Sequence, residues 1–215
     1  MTEPLDAAAL LKAFSVLLHD VRTPLGVAHG YVRLLREGRL STDADRARAL
    51  QGVADALERM TRLSHDAAAY VNADDVSMPL ARVSADEVAD RLAAALGAQV
   101  PPAARSGLHG RMCALRSVDV VTDAIVALAG SVAEDAEVPD ILVDESGGEL
   151  RILLGPGDER RQLLDGSRAA FDPWRAGHAL TLARASHVMA RNGGSVWASH
   201  AQRAIGVALP LEVSA

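Results

Sequence analysis

His19 and Asp20 stand side by side in the stretch His19-Asp20-Val21-Arg22-Thr23-Pro24-Leu25, and Thr23 follows four residues after the histidine. On an α-helix, residues four apart share a face, so His19 and Thr23 lie one turn apart. A carboxylate beside an imidazole accepts the Nδ1 proton and leaves Nε2 as a nucleophile toward a phosphoryl group. The Thr23 hydroxyl is placed to orient a water for the reverse hydrolysis, and Arg22 offers charge to phosphoryl oxygens. A histidine that merely solvated a helix surface would need none of these neighbours.

The surrounding pattern supplies the helix. Apolar residues recur at Leu11, Leu18, Leu25 and Val32, and again at Phe14, Val21, Ala28 and Leu35. These are heptad rows offset by three, the seam of a helical bundle. A third row, Leu10, Leu17, Pro24 and Tyr31, widens the stripe toward a bundle core. His19 projects away from all three. Pro24 removes one backbone hydrogen bond and is expected to bend or loosen the helix there.

The string His-Asp-x-Arg-Thr-Pro-Leu resembles the H-box of two-component sensor histidine kinases at every diagnostic position. The resemblance implies that His19 is the phosphoacceptor, Asp20 the assisting acid/base and Thr23 the residue used in dephosphorylating a partner response regulator. Any magnesium in that exchange is then expected on the partner's receiver domain.

Composition sets outer bounds. A chain of 215 residues, 49% hydrophobic, suits one large or two small domains. With aromatics at 3%, its cores are built from small aliphatics, which suits helix packing. A net charge of −6 argues against a nucleic-acid binder, which needs a basic face. Cys113 is the single cysteine, so no internal disulfide forms and a reducing cytoplasm is the expected location. It reads as a small buried hydrophobe. No run reaches the length of a membrane span, and the acidic start reads as no signal peptide, so input is expected through a partner or a separate sensor kinase. The seven histidines show no zinc-ligand spacing, so no metal site is expected.

In chain order, a first helix is expected over residues 6–37 with Gly38 as its C-cap. Ser41-Thr42-Asp43 opens a second over 43–71. The second helix carries Leu50, Val53, Leu57, Met60, Ala67 and Val71, flanked by Leu63 and Tyr70. So short a loop makes the two helices antiparallel neighbours. One hairpin cannot bury so wide a stripe, whereas two hairpins in a four-helix bundle can, so residues 6–71 are expected to form a homodimer. His29 and His65 read as surface residues. A polar joint over 72–78 divides domain 1–74 from domain 75–215. Beyond it, a short strand lies over 79–83 and a capping box at Ser84-Ala85-Asp86-Glu87 opens a helix to Leu96. Further helices are expected over 114–133 and 176–191, and a polar helix or lid over 158–170. Strands are expected over 141–143, 150–154, 195–199 and 204–209. The fold class is α+β: a helical hairpin, then an α/β sandwich with an antiparallel sheet.

That second half resembles the ATP-binding (Bergerat) domain of histidine kinases. Phe171-Asp172-Pro173-Trp174 looks like its F-box. Gly177-His178-Ala179-Leu180, with Arg191-Asn192-Gly193-Gly194, resembles its last glycine box and following turn. The resemblance implies Mg-ATP held by an asparagine-bearing helix, an Asp-x-Gly-x-Gly turn and flexible glycines. Here the helix over 120–130 has no asparagine, leaving Asp123 as the one metal-ligand candidate. The glycine turn survives as Gly155-Pro156-Gly157, with Leu153 where the adenine-binding aspartate belongs. His178-Ala179 stands where a second glycine is expected after Gly177. Three degraded parts of one site imply that nucleotide binding is lost. The leading expectation is a dimeric histidine phosphotransferase exchanging phosphoryl groups with receiver aspartates. An active ATP-using kinase and a non-catalytic module that binds a regulator or kinase are the alternatives.

Overall fold

A computed structural model describes residues 7–72, 79–97, 107–132, 141–164, 168–174, 179–201 and 203–213. The chain divides into two compact units, Met1–Asp74 and Asp75–Ala215. Residues 73–78 of the expected joint, and Gly177 and His178, lie outside the described residues.

The first unit is a hairpin of α1 (Ala7–Arg36) and α2 (Asp43–Asn72). Helix α1 runs unbroken through Pro24, which is buried. Its end is set where expected: Gly38 takes a positive φ of 64°, and Gly38 and Arg39 donate back to the carbonyls of Leu35 and Leu34. Thr42 caps α2, its Oγ1 accepting from the Asp45 amide at 3.1 Å.

The apolar stripe divides in two. Ala13, Pro24 and Ala28 of α1, and Ala49, Ala56 and Tyr70 of α2, are buried. At the lower end of the interface the Tyr31 ring lies on Gly52, where a Cβ would collide with it. The other row stays open: Leu11 is 70% exposed, and Phe14, Leu18, Leu25, Val32, Leu50, Leu57 and Val71 are exposed with it. The α2 residues that a sequence pattern groups as one stripe therefore face two directions.

The second unit is a fully antiparallel sheet with helices. Its strands are β1 (Ala81–Ser84), β2 (Arg111–Leu115), β3 (Ile141–Ser146), β4 (Glu149–Leu154), β5 (Ala169–Ala170), β6 (Ser195–Ala198) and β7 (Ile205–Val213). The spatial order is β1-β2-β7-β4-β3, with β6 beside β7 and β5 beside β6. The helices are α3 (Ala85–Leu96), α4 (Val118–Gly130), α5 (Gly157–Leu164) and α6 (Ala179–Arg191). Ser84 caps α3 by accepting from the Glu87 amide at 3.1 Å, as the capping-box pattern requires.

Two expected helices are corrected. The helix expected over 114–133 starts only at Val118, because Met112–Leu115 alternate in burial and pair with β1 and β7. Ser117 then caps α4. The helix or lid expected over 158–170 is α5 alone; Ala169 and Ala170 pair with β6 instead.

Register decides the core. Leu150, Ile152 and Leu154 face the same side as Leu209, Val207 and Ile205, and all are buried. The opposite side carries Leu153 and Trp197, both opposite Gly206 in the ladder, where any Cβ would collide with the indole. Leu163 of α5 completes this second cluster, and the Arg168 guanidinium stacks on the indole at 4.2 Å. Buried Asn192 ties the end of α6 to the start of α4. Its Nδ2 donates to the Val188 carbonyl, and its Oδ1 accepts from the Arg116 amide at 2.8 Å.

Cys113 is buried on β2, and burial pushes its thiol up to about 11. The thiol should resist a thiol-specific reagent at pH 8 in the folded protein and react at once in denaturant. Because the folded value lies above the unfolded 9.0, this residue's contribution to stability is complete below pH 9 and is lost as pH rises through about 11. Urea titrations of wild type and Cys113→Ala across that range should converge in pH dependence if another group is responsible.

Candidate functional site

Helix α1 positions every residue of the expected site. Its buried side is held by α2, which leaves the opposite stripe to solvent. His19 sits on that stripe with 81% of its side chain exposed, while Asp20, one step around toward α2, is only 24% exposed. The His19 Nδ1 lies 3.0 Å from the Asp20 Oδ1. With Asp20 accepting the Nδ1 proton, the Nε2 lone pair points outward. This is the arrangement of a nucleophilic imidazole with a fixed tautomer.

Arg22 and Thr23 are exposed on the same helix. The structure thus brings together His19, Asp20, Arg22 and Thr23 within two turns of one continuous helix. His65 is exposed on α2, as expected of a surface residue. His29 is exposed too, and it also rims a recess on α1 that the sequence reading did not single out. The signal was available: Gly26 and Gly30 repeat on the face of His19 at helical spacing. Among the described residues, no group of three or more His, Cys, Asp or Glu is placed to hold a metal ion.

The residues assigned to a nucleotide by resemblance lie in the second unit. Leu153 and Leu154 precede the glycine turn, face opposite sides of the sheet and are both buried. Whichever side an adenine approached, neither side chain could accept its amino hydrogen. Gly155 has φ 118°, and a Cβ there would lie 2.7 Å from the Arg203 carbonyl oxygen. The glycine is thus required by the packing of the β6–β7 turn against it. Gly157 opens α5 and meets no such contact. Asp123 is exposed on α4. The residues at the turn do not fit adenine.

Residues 9–74 match the family model described as His Kinase A (phospho-acceptor) domain. No curated protein matches the chain. Among solved structures, the Acinetobacter baumannii histidine kinase AdeS aligns with TM-score 0.55 and 13% identity, covering 92% of this chain and 98% of that one. A structure titled as a bacterial phosphotransferase aligns at TM-score 0.45 and 13% identity, over 96% and 98% of the two chains. The catalytic domain of histidine kinase ThkA aligns at 0.38 and 10% identity, over 61% and 94%. The AdeS alignment shows a shared fold. Among the described residues, no helix is long and apolar enough to cross a membrane.

Replacing Asp20 tests the chemistry of the pair. Asp20→Asn keeps an acceptor oxygen near Nδ1 but removes the charge that stabilises the ring as Nε2 becomes bonded. The rate of His19 phosphorylation by a small phosphodonor should fall by about 10²-fold or more, with thermal stability little changed. A rate within twofold of wild type would remove Asp20 from the chemistry.

Proposed function

We propose that this chain, whose residues 9–74 match the His Kinase A (phospho-acceptor) domain model, belongs to the sensor histidine kinase family and acts as a dimeric histidine phosphotransferase rather than as an ATP-using kinase. The observation that carries this reading is the contrast between its two halves. The His19–Asp20 pair is intact and open to solvent. The turn expected to read adenine has two buried leucines and a glycine packed against Arg203 and Ala204.

The step is a reversible displacement. The Nε2 lone pair of His19 attacks the phosphorus of a receiver's aspartyl phosphate. A P–N bond forms as the P–O bond breaks, and the carboxylate leaves with the electron pair. Nδ1 keeps its proton, and the Asp20 carboxylate balances the positive charge of the ring. In the other direction a receiver carboxylate attacks, and the P–N electrons return to Nε2. Arg22 faces the phosphoryl oxygens, and Thr23 orients a water when the outcome is hydrolysis. Any magnesium is carried by the receiver, where it offsets phosphoryl charge. Phosphoryl groups enter from a receiver or a separate sensor kinase, in a cytoplasmic setting that the lone buried thiol suits.

The homodimer follows from the open row on the hairpin. Fully burying each such side chain is worth about 1.5–3 kcal/mol, and a second hairpin presents the same row. The row spans both helices, which is what a four-helix bundle needs.

Labelled Mg-ATP should leave no label on wild type or on His19→Ala, whereas a phosphorylated receiver or cognate kinase should label wild type alone. Label from ATP on wild type would restore the kinase reading. Equal acceptance by His19→Ala would displace the site. Leu18→Glu with Leu25→Glu should turn a dimer into a monomer by sedimentation at micromolar concentration while α-helix content is kept. A wild type that sediments as a monomer would overturn the bundle.

A further inference from the structure

His19 has a second hydroxyl beside it that the transfer step has not yet used. Ser15 lies one turn before His19 on α1 and is exposed with it. At about 100° per residue, Ser15 falls about 40° to one side of His19, and Arg22 about 60° to the same side. Asp20 and Thr23 fall about 100° and about 40° to the other side. The imidazole thus divides its helix face into two flanks. Asp20 and Thr23 stand on the flank toward α2. Ser15 and Arg22 stand on the flank toward the open row of Leu11, Leu18 and Leu25.

The ring decides which flank a phosphoryl group takes. Its Nδ1 lies 3.0 Å from the Asp20 Oδ1, so that edge of the ring faces the Asp20 flank. In an imidazole, Nε2 sits on the opposite edge, next to Cδ2. A bond formed at Nε2 therefore points toward Ser15 and Arg22. Side chains on a helix also lean toward its N-terminus. The imidazole accordingly overlies the turn that carries Ser15, and Arg22 leans back toward the same place. Ser15 lies about 6 Å from His19 along the axis, the spacing at which side chains one turn apart meet. Its hydroxyl is available. A mid-helix hydroxyl can give its proton to the carbonyl four residues back. Thr61 and Ser64 of α2 do so, donating to the Leu57 and Met60 carbonyls at 3.0 Å each. Among the described residues, Ser15 makes no such bond.

We infer that the Ser15 hydroxyl donates a hydrogen bond to an oxygen of the phosphoryl group on His19 Nε2 and, with Arg22, holds that group for transfer. This rests on the reading of His19 as a phosphoryl carrier. Attacking and leaving atoms stand in line across the phosphorus, so a receiver carboxylate approaches from the side away from the ring. Ser15 stands beside the ring. It meets the equatorial oxygens and does not take the phosphoryl group itself. Its hydrogen bond offsets charge on those oxygens as the P–N bond forms or breaks. Thr23, on the other flank, is left to orient water.

The experiment loads His19 without a protein partner. Labelled phosphoramidate gives up its phosphoryl group: its P–N bond breaks, ammonia leaves, and a P–N bond forms at Nε2. Wild type, Ser15→Ala and Ser15→Thr are compared, with His19→Ala as the blank. Alanine is the better helix former and the position is exposed, so Ser15→Ala folds. It should load more slowly by about fivefold or more, the loss of a hydrogen bond to a charged group, while Ser15→Thr loads within twofold of wild type. The phosphorus NMR resonance of the loaded ring should titrate at higher pH in Ser15→Ala than in wild type, because the lost donor favoured the fully charged phosphoryl group. Loading of Ser15→Ala within twofold of wild type, or a titration that does not move, overturns the inference and leaves the reading of His19 standing. Equal slowing in Ser15→Thr assigns the effect to the helix rather than the hydroxyl and also overturns it. Wild type that takes no label, or His19→Ala that takes as much, overturns the reading of His19 and this inference with it.

Discussion

One helix carries three distinct surfaces at once, and the 3.6-residue period is the constraint that lets it. Around α1, one stripe is buried against α2, the next is an exposed apolar row, and the third carries His19, Arg22, Thr23, Gly26 and Gly30. Any break in the helix would rotate these stripes out of phase. Continuity through Pro24 is therefore the condition on which the site depends. The proline is tolerated where the hairpin buries it, since packing offsets the lost backbone hydrogen bond.

In the second unit, packing alone accounts for the residues at the glycine turn. Both faces of β4 are buried at its end, Leu154 toward one side and Leu153 toward the other. A carboxylate at either position would now be desolvated without a partner, which is costly. Gly155 has its own requirement, since the backbone of Arg203–Ala204 approaches too closely for a side chain. A glycine that looks like the remnant of a phosphate loop is thus retained by packing. The indole of Trp197 makes a similar demand on Gly206, and Arg168 closes the stack.

Where sequence reasoning succeeded, the signal was local. Gly38, Thr42, Ser84 and Gly97 mark helix ends through their own dihedrals and hydrogen bonds, so spacing alone placed them. Where it failed, a long-range partner decided. Ala114-Leu115 reads as the start of an apolar helix, and instead ends β2 because Arg82 and Ala81 of β1 pair with it. Ala169-Ala170 has high helix propensity and pairs with β6 all the same. The shallow recess on α1 leaves no chemical signature in the sequence, since two absent side chains form its floor.

The amino-acid sequence by itself determined the hairpin, the heptad rows, the placement of His19 beside Asp20 and one turn from Thr23, and the order of most elements after residue 79. These follow from periodicity and from neighbours a few positions apart. Only the tertiary structure decided which apolar row α2 covers and which it leaves open, because that depends on how the two helices rotate against each other. It alone decided that Leu153 and Leu154 are buried on opposite faces, because register is set by strands more than fifty residues away.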